Sequence, residues 1–190
     1  MLIDLVKNSR SVRSFQSDAR IPREDLIALC ELARSCPAAM NRQPLKYRIV
    51  DTPEECARLQ PLTRWASSLS VKLPPKGQEP CAFIVICHDT EIAEEKPIFL
   101  YDVGIVAQTM MLGACEKGYG GCIIGSATPA TISDALSLPA HIVPKLILGL
   151  GIPAEEVVLT EAKDGNVTYY RDDANIHYVP KRPLEELILS

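Results

Sequence analysis

The stretch Ala82-Phe83-Ile84-Val85-Ile86-Cys87 is an uninterrupted apolar run of strand length. A run of that kind belongs in the middle of a sheet covered on both faces. Beyond a polar connection, Leu100, Val103, Ala107, Met110, Met111 and Ala114 recur at helical spacing, with Gly104 and Gly113 among them. This pattern predicts a central helix able to pack closely on both sides, with Gly118 as its C-cap.

Working toward the amino terminus, Thr52, Pro53 and Glu55 supply the N-cap, first-turn proline and capping-box acid of another helix, and Tyr47 to Val50 reads as a short strand before it. Pro22, Glu24 and Asp25 start a helix whose apolar face is Leu26, Leu29, Cys30 and Ala33 and which stops before Pro37. Between Gln60 and Pro80 periodicity disappears around Trp65, which predicts a long loop and a candidate lid. Toward the carboxy terminus, Cys122 to Ile124 reads as a buried strand, Thr128 and Pro129 open a helix through Leu136, and Lys145 to Leu150 is a further strand. The alternation predicts a layered α/β or α+β domain. We expect one domain over residues 1–190, with residues 154–190 an extension that contains the turn pair Asp164-Gly165 and ends on Leu184, Leu187 and Ile188. That extension has too few apolar residues to fold alone, so it is expected to pack on its own domain or on a partner subunit.

Composition narrows the function classes. The chain has 190 residues, 47% of them hydrophobic and 23% charged, with a net charge of -4, the balance of a folded protein without a broad basic surface for nucleic acid. The first residues, MLIDLVKNSRSVRSF, carry charges throughout and are read as neither a signal peptide nor a membrane span. Seven cysteines at irregular spacing, most in apolar runs, fit buried free thiols in a reducing cytoplasm. There is no C-x-x-C or H-E-x-x-H, and no metal site is expected.

Four segments carry candidate chemistry. Ser9-Arg10-Ser11-Val12-Arg13-Ser14-Phe15 interleaves two guanidinium groups with hydroxyls, donors suited to a phosphomonoester, although a solvated turn has the same composition. Cys36-Pro37-Ala38-Ala39-Met40-Asn41-Arg42-Gln43-Pro44 places two amides between prolines, able to meet a heterocycle edge or simply to close a loop. Gly118 to Ser126, GYGGCIIGS, lets backbone N–H groups approach a ligand, or forms a cap and a tight turn into a strand. Lys181-Arg182 is a cationic pair in an acidic protein, and such pairs are usually solvated.

In this order and at these separations the segments resemble the FMN-dependent nitroreductase family, and the resemblance covers nearly the whole chain. It rests on Arg10, Ser11, Arg13 and Phe15; on Pro37, Asn41, Gln43 and Pro44; on Gly118, Gly120, Cys122, Ile124 and Gly125; and on Lys181, Arg182 and Pro183. Ala38 and Ala39 stand where the family usually offers a serine, and Leu45 and Ile123 where it often has tryptophan. The resemblance implies an α+β three-layer sandwich, a mostly antiparallel sheet flanked by helices, acting as a homodimer. It implies FMN as cofactor, NADH or NADPH as reductant and a small organic acceptor, a nitroaromatic, quinone or enone, in a ping-pong cycle with no catalytic side chain. By the same implication Arg10, Ser11, Arg13, Lys181 and Arg182 hold the phosphate and ribityl chain, and Pro37, Ala38, Ala39, Asn41 and Gln43 line the flavin. Backbone N–H groups at Ile124 and Gly125 lie near its N5 and O4. The long helix and the tail are the expected dimer elements, with neither nucleic acid nor membrane as partner.

Other readings are weaker. Gly149-Leu150-Gly151-Ile152-Pro153-Ala154 fits G-x-G-x-x-A, with Asp172 at about the distance of a ribose-binding acid, but Pro153 and Asp164-Gly165 leave little room for the helix and second strand. Gly120 to Gly125 lacks the lysine of a P-loop, and His88, His141 and His177 stand in no order suited to a cysteine hydrolase. A flavin-binding protein that stores, senses or degrades FMN without nicotinamide turnover remains the alternative. An interaction module without cofactor would need all four matches to be accidental.

Overall fold

The computed structural model describes residues 1–66 and 71–189. Strands β1 (Leu45–Val50), β2 (Ala82–Asp89), β3 (Gly120–Ile124) and β4 (Ile142–Gly151) form one sheet in the order β1-β2-β4-β3, antiparallel at every junction. β2 is buried along its whole length, as a continuous apolar run between two neighbours requires. Its residues alternate between two cores. Ile84 and Ile86, with Leu148 and Leu150 of β4, pack under α2 (Arg23–Arg34) and α4 (Phe99–Glu116). Phe83 and Val85, with Ile147, meet α3 (Pro53–Leu59) and α5 (Pro129–Leu136) through Cys56, Leu59, Ile132 and Leu136. The result is three layers, α+β with an antiparallel sheet, and each large side chain so buried contributes about 1.5–3 kcal/mol.

The caps follow the sequence. Thr52 accepts the Glu55 N–H on its hydroxyl, with Pro53 in the first turn of α3. α4 ends with Gly118 at φ +82, where the Tyr119 N–H reaches the Ala114 carbonyl at 2.8 Å and the Gly118 N–H that of Cys115 at 3.0 Å, the paired bonds of a left-handed C-terminal cap. Gly113 lets α2 and α4 touch, since a β-carbon there would lie 2.3 Å from Leu32 Cδ1, whereas Gly104 faces open space. Leu100 departs from the expected stripe. It is 58% exposed beside Tyr101 at 72%, and the inner face is carried by Phe99, Val103, Val106, Ala107 and Met110.

Trp65 is a core residue rather than part of a lid. It is buried, donates its indole N–H to Thr63 Oγ1 at 2.8 Å and meets Phe15 edge-on. Residues 67–70 of the same loop lie outside the described residues. A β-carbon at Gly149 would lie 2.7 Å from the Trp65 ring, and one at Gly151 would lie 2.7 Å from Phe15. The G-x-G-x-x-A spacing therefore reflects aromatic packing, and it runs through β4 into a connection instead of opening a helix.

Before the sheet, α1 (Leu2–Asn8) buries no residue. The arm that follows it is stitched in at several points. Ser11 bridges Gly121 in parallel, the Val12 N–H donates to the Gly121 carbonyl at 2.8 Å, and Gln16 N–H and Ala154 N–H donate to Ile152 and Ser14 carbonyls at 2.9 Å each. After β4, β5 (Val157–Glu161), β6 (Tyr170–Arg171) and β7 (His177–Lys181) form a second sheet ordered β5-β7-β6. Asp164 and Gly165 turn there with φ of 50 and 71.

Candidate functional site

β3 is the edge strand of the main sheet, and the arm covers only its first part. Because the Gly121 carbonyl points outward to Val12, ladder alternation turns Ile123's backbone groups outward as well and Ile124's inward toward its register partner Ile147. Of the two amides expected to face a ligand, that of Gly125, past the end of the strand and exposed, is the free one in this geometry. Arg10, Ser11 and Arg13 are thus laid beside the start of a strand whose other end carries Ile124 and Gly125. Arg10 lines a cavity of about 180 Å³ with Val12, Met111, Gly120 and Pro153. Its Nη2 donates to the Val6 carbonyl at 2.7 Å while its Nε is buried without a partner among the described residues, and burial lowers its pKa.

The loop from Pro37 to Gln43 is the most strained part of the described backbone. Met40, Asn41 and Gln43 have φ of 51, 52 and 51, a left-handed conformation that costs side chains other than glycine about 1–2 kcal/mol each. Asp102, buried on α4, holds the loop: both carboxylate oxygens lie 3.0 Å from the Ala39 N–H. Gln43 Nε2 donates to Asn41 Oδ1 at 3.0 Å, so the two expected amides are paired and both exposed. Pro37, Ala38 and Gln43 share a cavity of about 130 Å³ with Tyr47, Asp102 and Val106.

The carboxy-terminal cations lie at the end of β7. Arg182 pairs with Glu186 at 3.0 Å on the surface, and Lys181 ends β7, exposed. The residue that β7 brings to Arg13 is His177, whose Nε2 lies 3.4 Å from Arg13 Nη1. Glu155 accepts the Arg13 backbone N–H and the Arg171 guanidinium, and the Arg13 guanidinium stands 5.6 Å from the Tyr169 ring centre. Burial, Arg13 and Arg171 together push the His177 pKa below its ordinary value. Sequence reasoning passed over Asp102, Glu155, Arg171 and His177. Asp102 alone left a signal, a single acid on the apolar face of α4; the other three sit in a tail rich in polar residues, where one more acid, arginine or histidine does not stand out.

All seven cysteines are free. Burial pushes Cys30 up to about 11 and Cys56 and Cys87 up to about 12, so these thiols stay protonated and unreactive at neutral pH. Asp89, Glu91 and His141 place ligand atoms within 4.8 Å of one another, with Lys46 Nζ already 3.9 Å from Asp89. No helix among the described residues is long and apolar enough to cross a membrane.

Residues 6–152 match the sequence profile of the nitroreductase family. The chain belongs to that family. A protein of Methanothermobacter thermautotrophicus, provisionally named NADH dehydrogenase/NAD(P)H nitroreductase, is 24% identical over 158 residues, covering 81% of this chain and 78% of that one. The FMN reductase (NADPH) of Bacillus subtilis is 26% identical over 172 residues, covering 80% of this chain and 66% of its own length. Among solved structures, an FMN-dependent nitroreductase of Clostridium difficile superposes with a TM-score of 0.67 at 22% identity, over 86% of this chain and 92% of that one. The nitroreductase match takes in the arm, the strained loop and β3, and stops before Glu155 and the second sheet.

Proposed function

We propose that this nitroreductase-family protein is an FMN-dependent oxidoreductase that accepts a hydride from NADH or NADPH and passes reducing equivalents to a small organic acceptor. The observation that carries the reading is the pairing of the Arg10-Ser11-Arg13 arm with the edge of β3. That pairing lays two arginines and a serine beside the start of a strand that ends at an exposed glycine, Gly125. Arg10 and Arg13 each keep a buried Nε without a partner among the described residues, which fits an anionic group at that end. The names of the Bacillus subtilis and Clostridium difficile relatives, FMN reductase and FMN-dependent nitroreductase, support the same ligand.

Bound FMN supplies hydride and electron transfer, so no side chain need serve as nucleophile. Arg10, Ser11 and Arg13, joined by Lys181 and Arg182, hold the phosphate and ribityl chain. Pro37, Ala38, Ala39, Asn41 and Gln43 border the ring, with Asp102 keeping their loop in shape. The exposed N–H at Gly125 would be a donor for the ring edge, where a fixed dipole favours negative charge. Acceptors of nitroaromatic, quinone or enone type are flat and would suit a site built to take a flat ring.

The same reading includes a homodimer in the cytoplasm. Leu100, Tyr101 and Ile105 on α4, and Leu184, Leu187 and Ile188 in the tail, are large apolar side chains left exposed on one chain. Paired chains would cover them and bury a planar cofactor between them. The test is an absorbance spectrum of the purified protein followed by anaerobic titration with each nicotinamide. Flavin absorbance bleached by NADH or NADPH supports the oxidoreductase; flavin that neither nicotinamide reduces leaves a storage or sensing protein; a colourless chain that does not take up added FMN overturns the reading.

A further inference from the structure

The second sheet meets the amino-terminal arm at a buried carboxylate. Glu155 is 1% exposed in its side chain and its ion-pair partner Arg171 9%. One Glu155 oxygen accepts the Arg13 backbone N–H and the other the Arg171 guanidinium. Arg171 is the register partner of His177 across β6 and β7, and the Tyr169 ring lies 5.3 Å from the His177 ring. The Cys122 thiol on β3 is within the field of Arg13 and Glu155. Arm, edge strand and second sheet therefore share one locus.

Two properties of this locus are unusual for a purely structural contact. The first is charge: the one buried carboxylate is taken up by the Arg171 guanidinium and the Arg13 backbone N–H, while the Arg13 guanidinium itself is turned to His177 and the Tyr169 ring. The second is a surplus of donors. An arginine only donates, so the Arg13–His177 contact makes His177 Nε2 the acceptor and puts the ring proton on Nδ1. That Nδ1 is buried with no partner among the described residues, and so are Arg13 Nε and Arg171 Nε. Three buried N–H groups without acceptors are costly to keep, and an acceptor-rich anion beside them offsets both the charge and the missing bonds.

We propose that Glu155, Arg171 and His177 are positioning residues that set Arg13 for the phosphate of a phosphomonoester ligand, so that preference for FMN over riboflavin is built partly into the second sheet. The proposal rests on the FMN reading above. Glu155 fixes the arm's backbone at Arg13, His177 limits where its guanidinium can swing, and Arg171 keeps Glu155 in place. The hydrogen bonds of the Arg13 guanidinium to the Ser11 carbonyl and to His177 are long at 3.4 Å, weak enough to yield to a better acceptor.

The experiment measures dissociation constants for FMN and for riboflavin on the full chain, with the ³¹P resonance of bound FMN as a second readout. His177→Leu removes the acceptor and should lower the FMN-over-riboflavin preference on the order of tenfold while leaving riboflavin affinity nearly unchanged. His177→Gln, which restores an acceptor, should recover most of the preference, and Glu155→Gln should lower it and shift the ³¹P resonance. Should Glu155→Gln fail to fold, the His177 pair decides alone. A preference unchanged in His177→Leu, or FMN and riboflavin weakened equally, overturns the proposal and makes the second sheet a structural appendage. A wild-type chain that binds neither flavin overturns the FMN reading, and this proposal with it.

Discussion

The loop from Pro37 to Gln43 and the arm around Arg13 are held by opposite means. The loop keeps three left-handed side-chain-bearing residues in place with one buried carboxylate on its backbone, and its own amides satisfy each other. The arm is regular backbone stitched to β3 and to Glu155, but its Arg13 side chain stands against His177, Arg171 holds the same acid, and buried donors there have no partner among the described residues. Shape is what the loop keeps, and a few local contacts set it. Charge balance is what the arm depends on, and its geometry should respond to anything that changes that balance.

The largest effect should come from breaking the arm's acid. Glu155→Ala leaves Arg171 and the Arg13 N–H buried without their counter-charge, and removal of one member of a buried ion pair costs about 3–5 kcal/mol. Urea unfolding of the variant measures this directly. A loss below about 1 kcal/mol would mean that the second sheet lifts away readily and that Glu155 is solvated in solution.

The corresponding break in the loop is Asp102→Ala, which deprives the Ala39 N–H of its charged acceptor and should cost about 1.5–3 kcal/mol. Its mark should be local, with faster hydrogen exchange at Ala39 and little change at Arg13. Equal exchange at Ala39 in variant and wild type would show that the strained backbone holds itself without the carboxylate.

Acidification sharpens the comparison next. His177 has its pKa lowered in the folded state by burial and by Arg13 and Arg171, so protons bind the unfolded chain first. Stability from this residue is present above the unfolded value near 6.5 and is lost as pH falls from there through the lowered folded value. Urea midpoints across that window should fall with pH in the wild type and fall less in His177→Gln. Parallel curves would place another group behind the acid sensitivity.

What the sequence disclosed follows the same division. The uninterrupted run at Ala82 to Cys87 announced a strand buried on both faces, and Thr52-Pro53 and Gly118 announced helix ends, because each of these depends on residues close in the chain. Strand direction was open on alternation alone and came through the family resemblance. Trp65 read as loop because its burial depends on Gly149, far along the chain, accepting its ring. The Glu155, Arg171 and His177 cluster was invisible because its residues are joined only after β5, β6 and β7 fold back on the arm, and their spacing in the sequence carries no period.

The smallest effect tests whether the loop's left-handed backbone is a cost or a neutral choice. Met40 is 68% exposed with φ of 51, so its side chain contributes little packing while its backbone sits where a β-carbon crowds the following carbonyl. Glycine there removes about 1–2 kcal/mol of steric cost but loses about 0.5–1 kcal/mol to the greater freedom of the unfolded chain. Met40→Gly should therefore stabilise by up to about 1.5 kcal/mol, with the Asp102 to Ala39 contact intact. Gln43→Gly is a different case at the same φ, because it also deletes the hydrogen bond to Asn41 and should give no net gain. Paired unfolding curves for the two variants separate the terms. A clear loss of stability in Met40→Gly would mean that the Met40 side chain is covered in the assembled protein, which would move this loop from an exposed rim into an interface.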